Sequence, residues 1–216
     1  MTRTSTTANA LLGLLALRPH WTMWELAGQL RRNIRFFWPR AESRAFAEAR
    51  RLSVEGLAAA EHSYTGRRRT TTYAITPSGR RKLRRWLAQP PRPTSLECEP
   101  LLRVLLADLG THEQLQVAIR QVRADAEAIL EVGRVVGPEY LKGIAPFQDD
   151  VHARALVFDF LAAHALTMMR WADRAEARVR AWPEETRERQ IEAALATVAE
   201  RLAELPEASV APAPGD

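Results

Sequence analysis

Apolar residues recur every three or four positions along most of the chain, which predicts a mainly helical protein. In the first half, this spacing predicts short helices over residues 6–17, 22–32 and 42–57. The second of these begins with a capping-box pattern, in which Thr22 is followed three residues later by Glu25. The inner positions expected for the second and third helices are Trp24, Leu26, Ala27 and Leu30, and then Ala45, Phe46, Ala49, Leu52 and Gly56.

A β-hairpin and a fourth helix are predicted directly after the third helix. Gly56 is suited to ending that helix, because glycine readily adopts a left-handed backbone conformation. Residues 70–75 alternate as in a half-buried strand, and the hairpin is expected to turn at residues 65–66. Thr76 suits the cap of the fourth helix, and Pro77 suits its first position. Proline is tolerated there because the amide that it lacks would have no partner within the helix.

The second half is predicted to be all helix, behind a stiff proline-rich hinge at residues 89–93. Helices are expected at 97–109, from a cap at Thr111 to Gly137-Pro138, at 149–181 and from Pro183 to 205, followed by a disordered tail from 206. The three long helices place apolar residues at alternating spacings of four and three, as in coiled coils. This pattern favours a dimerisation domain, although a bundle within one chain would show it too.

Charge is distributed unevenly between the two halves of the 216-residue chain, whose formal net charge is +5. Residues 1–90 contain 17 Lys and Arg against 5 Asp and Glu, whereas residues 91–216 contain the remaining 14 against 21. A basic half of this kind indicates binding to a polyanion, and the acidic half would have another task. Arginine, which dominates the basic half, suits paired contacts with phosphate or a guanine edge.

The candidate DNA contacts lie on the outer face of the third helix and at the hairpin tip. They are Arg40, Ser43, Arg44, Ala47 and Arg51 on the helix, and Arg67, Arg68 and Arg69 at the tip. A helix with a small, basic outer face fits the DNA major groove, where Arg44 or Arg51 would take a guanine edge and Ser43 a phosphate. The tip arginines would hold phosphates or enter the minor groove. A solvated basic helix and an ordinary exposed hairpin would show the same features.

Cysteine content and hydropathy favour a cytoplasmic protein without a membrane segment. The single cysteine, Cys98, excludes an intramolecular disulfide. The apolar run at residues 10–17 is too short to span a bilayer and is not followed by a small-residue cleavage site, so it is interpreted as a buried helix.

Residues 9–88 resemble the winged helix-turn-helix domain of the PadR-like transcriptional regulators. The resemblance is carried by the segments 12–16 (LGLLA), 24–26 (WEL), 46–57 (FAEARRLSVEGL) and 73–87 (YAITPSGRRKLRRWL). The all-helical second half is similar to that of the longer members, whose C-terminal helices form the homodimer. The chain departs from the family pattern at Phe46, Ala49 and Trp24, where tyrosine, leucine and tyrosine are usual.

The resemblance implies a repressor that is released from DNA by a small molecule bound between its two parts. For a flat apolar or aromatic effector, the candidate pocket residues are Trp86, Met168, Met169 and Trp171; the alternative is that they belong to the core. Cys98 is either a thiol sensor or inert packing. His152 with Asp149 is a conceivable metal pair, but the sequence has no clustered ligand set, and neither a metal nor a cofactor is expected.

The sequence therefore predicts a mainly α protein with a winged helix-turn-helix domain at residues 6–88, a hinge at 89–93, a helical dimerisation domain at 94–205 and a tail at 206–216. The predicted function is a non-enzymatic, homodimeric regulator that binds a palindromic duplex operator, since no catalytic motif is present. The alternative is an interaction scaffold whose basic module binds nucleic acid nonspecifically and whose acidic helices bind a protein partner.

Overall fold

The computed structural model describes residues 5–65, 68–182 and 185–206, within which eight α-helices and one three-stranded antiparallel sheet are found. In chain order the elements are α1 (Thr6–Leu17), β1 (Trp21–Thr22), α2 (Met23–Gln29), α3 (Arg40–Val54), β2 (Ala58–Thr65), β3 (Arg68–Ile75), α4 (Pro77–Leu87), α5 (Glu99–Leu105), α6 (His112–Leu141), α7 (Val151–Ala181) and α8 (Arg187–Ala203). Within the described parts of the chain, no helix is long and apolar enough to cross a membrane.

Internal contacts divide the chain into two compact units. The first contains the described parts of residues 1–97 together with 127–165, and the second those of residues 98–126 together with 166–216. The hinge and domain limits expected from the sequence stay predictions.

In the first unit, α1, α2 and α3 pack with a small sheet, as the sequence predicts. The strand order is β1-β3-β2, with Ala58 opposite Ile75 and Trp21 opposite Tyr73. The short strand β1 extends the expected two-stranded ribbon and places the Trp21 side chain in the core. The buried residues of this core are Ala8, Leu11, Leu12, Leu14, Leu15, Trp21, Leu26, Leu30, Ala41, Ala45, Ala49, Leu52, Leu57 and Ala58.

Two aromatic residues expected in this core are exposed instead, so these predictions are wrong. Trp24 is 77% exposed because it lies two positions before buried Leu26, which is about 200° around a helix. Phe46 is 67% exposed because it lies one position, about 100°, after buried Ala45.

Several helix ends differ from the predicted ones for local reasons. After α2, residues Leu30–Ile34 form a π-helical turn, where the Arg35 amide donates to the Leu30 carbonyl. α3 begins two residues earlier than expected, with Pro39 in helical conformation ahead of it, and ends at Val54. Gly56 follows with φ of +67°, the left-handed conformation predicted for it.

The later helices show the same kind of difference. α6 continues through Pro138 to Leu141, because a proline removes one amide from the helix while its carbonyl still accepts from the Lys142 amide. The segment expected at 97–109 is divided into α5 and a short 3-10 turn, Ala107–Leu109. α8 begins at Arg187 rather than at Pro183, because the Thr186 hydroxyl caps it by accepting from the Arg189 amide. Pro183 and Glu184, and the expected tail from residue 207, lie outside the described residues.

The connection between α6 and α7 is held against the winged module by stacked rings and cations. The Trp21 and Phe147 rings stack with their centroids 5.9 Å apart. The Arg18 guanidinium lies 3.7 Å from the Trp21 centroid, and that of Arg154 lies 4.7 Å from the Phe147 centroid. Phe147 has a φ of +63°, a conformation that is costly for a bulky residue and is maintained by its surroundings. An ion pair between Arg32 and Glu139 adds a second attachment.

The second unit has its own smaller core. Leu115 and Ile119 of α6 pack with Ala172 and Val179 of α7, and Trp171 is among the partly buried residues around them. Val122 and Ala126 are buried as well, so the four-and-three spacing predicted the inner face in the first half of α6.

The Leu57 carbonyl joins the end of α3 to the start of α4. It accepts from the Thr76 amide at 3.1 Å and from the Thr76 hydroxyl at 3.1 Å, and that hydroxyl accepts from the Gly79 amide at 3.0 Å. A Cβ at Gly79 would lie 2.1 Å from the Leu57 carbonyl oxygen, so α4 approaches the backbone at Leu57 too closely for any other residue at position 79.

We therefore expect Gly79→Ala to lower the free energy of unfolding by roughly 1–3 kcal/mol, the range for an overpacked interior site. The measurement is urea-induced unfolding followed by circular dichroism. Gly13→Ala is the matched control, because a Cβ at Gly13 in α1 would meet no atom within 4 Å and alanine favours a helix. Equal stability of Gly79→Ala and wild type would contradict this account.

Candidate nucleic-acid interface

One side of α3 is completely buried. Ala41, Ala45, Ala49 and Leu52 are each at most 1% exposed, and their spacings of four, four and three residues place them on a single face. Three of the four are alanines, so α3 can approach α1 closely. This packing determines which residues of α3 face solvent.

The opposite side of α3 forms an exposed surface. Its residues are Ser43, Arg44, Phe46, Ala47, Arg50 and Val54. At about 100° per residue, Ser43, Ala47, Arg50 and Val54 lie along the centre of this surface. Phe46 lies on one flank, and Arg44 lies on the other. Of the helix residues predicted to contact DNA, Ser43, Arg44 and Ala47 are therefore exposed together; Arg40 opens the helix, and only its backbone is described.

The two glutamates of α3 and Glu55 directly after it are all paired with cations of the first unit. Glu42 lies 3.6 Å from Arg31, measured between carboxylate oxygen and guanidinium nitrogen. Glu48 lies 2.7 Å from Arg51 and also accepts from the Ser5 hydroxyl at 2.7 Å. Glu55 lies 3.7 Å from Arg51 and 3.8 Å from the Lys82 ammonium. These pairs reduce the repulsion that the carboxylates would exert on a polyanion near the helix.

Arg50 is not among the residues predicted to contact DNA, although it lies near the centre of the exposed surface. The described residues provide no ion pair for Arg50 or Arg44, whereas Arg51 is engaged with two carboxylates. Helical position alone could have identified Arg50, because residues 43, 47, 50 and 54 share one face.

The start of α2 is fixed by the predicted capping box. The Thr22 hydroxyl accepts from the Glu25 amide at 3.2 Å, and the Glu25 carboxylate accepts from the Thr22 amide at 2.7 Å. Burial alone would raise the pKa of Glu25, but the hydrogen bonds from Thr22 and Arg18 and the Arg18 charge together lower it. Arg18 thus both pairs with Glu25 at 2.5 Å and covers the Trp21 ring.

The wing is a regular hairpin whose tip lies partly outside the described residues. The last described pair in the ladder is Thr65 opposite Arg68, preceded by Tyr64 opposite Arg69. The strands therefore bring Arg68 and Arg69 to the end of the wing, as predicted. Gly66 and Arg67 lie outside the described residues, so Arg67 stays a prediction.

The residues suggested for an effector pocket are divided between the two units. Trp86 is 36% exposed on α4, in the first unit. Met168, Met169 and Trp171 are in the second unit, where Trp171 packs against the core of that unit. Their assignment to a pocket stays a prediction. Cys98 immediately precedes α5 and is partly buried.

These elements define the class of the fold as a winged helix-turn-helix module continued by long helices. No sequence-family model matches the chain, and no curated protein sequence matches it. Solved structures do share its fold. They include smu.1604c from Streptococcus mutans UA159, with 19% identity and a TM-score of 0.68, and the PadR-like transcriptional regulator BC1756 from Bacillus cereus, with 16% identity and a TM-score of 0.66.

PadR from Bacillus subtilis in complex with operator DNA also has this fold, with 19% identity and a TM-score of 0.62. The three alignments cover 79%, 82% and 81% of this chain and 98%, 99% and 99% of the respective structures. The same Bacillus subtilis protein has been solved with p-coumaric acid. The fold of this chain is thus that of the PadR-like transcriptional regulators, which confirms the resemblance found in the sequence at the level of fold.

The capping box gives a pH-dependent prediction. Because its pKa is lowered by folding, Glu25 contributes stability that is present above its unfolded pKa and is lost as the pH falls through its folded pKa. We expect Glu25→Gln to lower the free energy of unfolding by about 0.3–1 kcal/mol at pH 7, since the amide still caps but loses the charge. The difference from wild type should shrink below about pH 4.

Urea unfolding at pH 7 and pH 3.5 measures both values. Glu127→Gln is the control, because Glu127 is exposed on α6 and no ion pair is found for it among the described residues. A difference between Glu25→Gln and wild type that stayed constant with pH would show that the charge of Glu25 has no part in the cap.

Proposed function

We propose that this protein is a sequence-specific DNA-binding transcriptional regulator, and that it acts as a homodimeric repressor released from its operator by a small molecule. The observation that carries the proposal is the division of α3 into a buried face and an exposed face. The exposed face combines the small residues Ser43 and Ala47 with Arg44 and Arg50, two cations for which the described residues provide no ion pair. The winged fold shared with a regulator solved on operator DNA supports it.

In this proposal α3 lies in the major groove. Small side chains at its centre let the helix backbone approach the base edges, and arginine is the usual reader of guanine through its O6 and N7 acceptors. No carboxylate among the described residues holds Arg44 or Arg50, whereas Arg51 would reach a guanine only by leaving its carboxylate partners. The arginines of the wing tip hold phosphates on the neighbouring backbone.

Exposed apolar residues on the later helices support dimerisation. Leu156, Phe158 and Phe160 of α7 are 75%, 50% and 63% exposed, although they are large and apolar. Ile191, Leu195, Val198 and Leu202 of α8 are 50–64% exposed and keep the four-and-three spacing. Apolar surface of this extent in water is typical of an interface, and a second copy of the chain would cover it. Two α3 helices would then read half-sites about 34 Å apart.

Effector release rests on analogy with the structural relative that binds p-coumaric acid. In this chain, Trp86, Met168, Met169 and Trp171 remain the proposed contacts for a flat aromatic or apolar molecule. An effector shifts an equilibrium only by its preference for one state. To loosen DNA binding, it would have to prefer a state in which the two α3 helices no longer match the spacing of the half-sites.

The function is tested first by selecting random duplexes with the purified protein at near-physiological salt and sequencing the bound fraction. We expect a palindromic motif that is preferred over bulk DNA by ~10³ or more, because a repressor must find its site among many competitors. Placing the motif in a promoter of a reporter should lower expression when the protein is present. Tight, salt-sensitive binding without enrichment would instead support the nonspecific scaffold, and raised expression would contradict repression.

Substitution of the exposed arginines separates base reading from phosphate binding. We expect Arg44→Ala to reduce the preference for the selected motif over bulk DNA by about 5- to 150-fold, the value of a lost paired contact with guanine. Arg51→Ala should also weaken the preference, with a lower unfolding midpoint because its ion pairs on α3 are lost. Arg67→Ala should weaken binding to all duplexes alike. It should also lower by about one the slope of the logarithm of affinity against the logarithm of salt concentration.

Arg120→Ala is the matched control for these variants, because it removes one exposed arginine from the part of α6 that belongs to the second unit. Fluorescence anisotropy with the motif and with a scrambled duplex, at several salt concentrations, gives each quantity. An unchanged preference in Arg44→Ala would show that Arg44 does not read a base.

A further inference from the structure

The exposed face of α3 carries one aromatic side chain, Phe46, whose position needs an explanation. It is 67% exposed, whereas the core of the winged module is complete without it. Exposing a phenyl ring to water is unfavourable, and burying one in a complex is correspondingly favourable. Phe46 is one residue away from Ala47 and lies next to Arg50 across one turn of the helix, so these three side chains form a continuous edge of the proposed reading surface.

The major groove presents only one apolar group, the C5 methyl of thymine. A phenyl ring has neither a donor nor an acceptor, so Phe46 can satisfy neither phosphates nor the polar base edges. Together with the Ala47 methyl, it can surround a thymine methyl and exclude water from it. Cytosine, adenine and guanine offer no equivalent group, and a thymine contact would therefore carry sequence information.

The position of Phe46 on α3 also predicts how many base pairs separate the thymine from the guanine in the operator. Phe46 and Arg50 are four residues apart, which is about 6 Å along the helix axis. Successive bases of one strand are about 3.4 Å apart. When α3 follows the groove, the thymine read by Phe46 is about two base pairs from the guanine read by Arg50.

We propose that Phe46 is a specificity-determining residue that reads thymine through its C5 methyl group, with Ala47 completing the contact. This inference rests on the proposed function, since it requires α3 to lie in the major groove. The inference names the base that the apolar residues of α3 would recognise, which the arginines alone do not determine.

Deoxyuridine substitution tests the contact, because uracil keeps every hydrogen-bonding group of thymine and lacks only the methyl. Duplexes carrying the selected motif are made with each thymidine replaced singly by deoxyuridine, and their affinities are measured by fluorescence anisotropy. We expect the wild-type protein to lose about 4-fold in affinity at one position in each half-site, the value for one buried methyl group. Phe46→Ala should bind the thymidine duplex more weakly and show no further loss at that position.

Two further variants make the result specific. Phe46→Leu keeps an apolar side chain and should retain part of the deoxyuridine effect. Trp24→Ala removes another exposed aromatic residue of the same module and should leave the deoxyuridine profile unchanged. Circular dichroism confirms that each variant is folded, which is expected because both aromatic side chains are exposed.

The outcomes separate this inference from the proposed function. A wild-type protein without a preferred motif would overturn the function and the inference together. A specific protein whose deoxyuridine profile is the same in wild type and Phe46→Ala would overturn the inference alone, because the methyl is then read by another residue. A specific protein with no deoxyuridine-sensitive position would overturn it as well.

Discussion

The close packing of α3 against α1 is the contact on which the rest of the first unit depends. Ala41, Ala45 and Ala49 are buried against a first helix whose Leu11, Leu12 and Leu15 are completely buried as well. Alanine adds little bulk between two helices, so this packing allows α1 and α3 to approach each other closely. This contact sets the rotation of α3 about its own axis, and that rotation determines which of its side chains are exposed. A larger residue at any of these alanines would move the whole reading surface.

Local chemistry explains why much of this fold could be predicted from the sequence. The bounds of α1, the Thr22 and Glu25 capping box, the Thr76 cap with its following proline and the left-handed Gly56 all depend on residues within one turn of each other. Propensity and capping act over that distance, so the residues that define each boundary are adjacent in the sequence. The residues Ser43, Arg44 and Ala47 followed from the same reasoning, since helical periodicity places them opposite the alanines.

The features that the sequence did not predict depend on residues far away in the chain or on the exact rotation of a helix. β1 has only two residues and exists because Trp21 and Thr22 pair with a strand fifty residues away. The approximate helical spacing predicts inner positions for Phe46 and Trp24, although each lies well away from the buried stripe. Arg50 is absent from the predicted DNA contacts, because its central position follows only from the observed rotation of α3. α6 continues through Pro138, because a proline removes only one amide from a helix and its carbonyl still accepts from the Lys142 amide.

The internal ion pairs have a consequence for how strongly the basic half can respond to salt. Among the described residues of this half, five cations already have carboxylate partners within the first unit, namely Arg18, Arg31, Arg32, Arg51 and Lys82. A cation held by its own chain displaces fewer counterions from a nucleic acid. The number of ions released on binding would therefore be smaller than the 17 cations of the composition suggest. The formal charge of the basic half is thus larger than the charge available to bind a nucleic acid, and a salt titration would measure only the available charge.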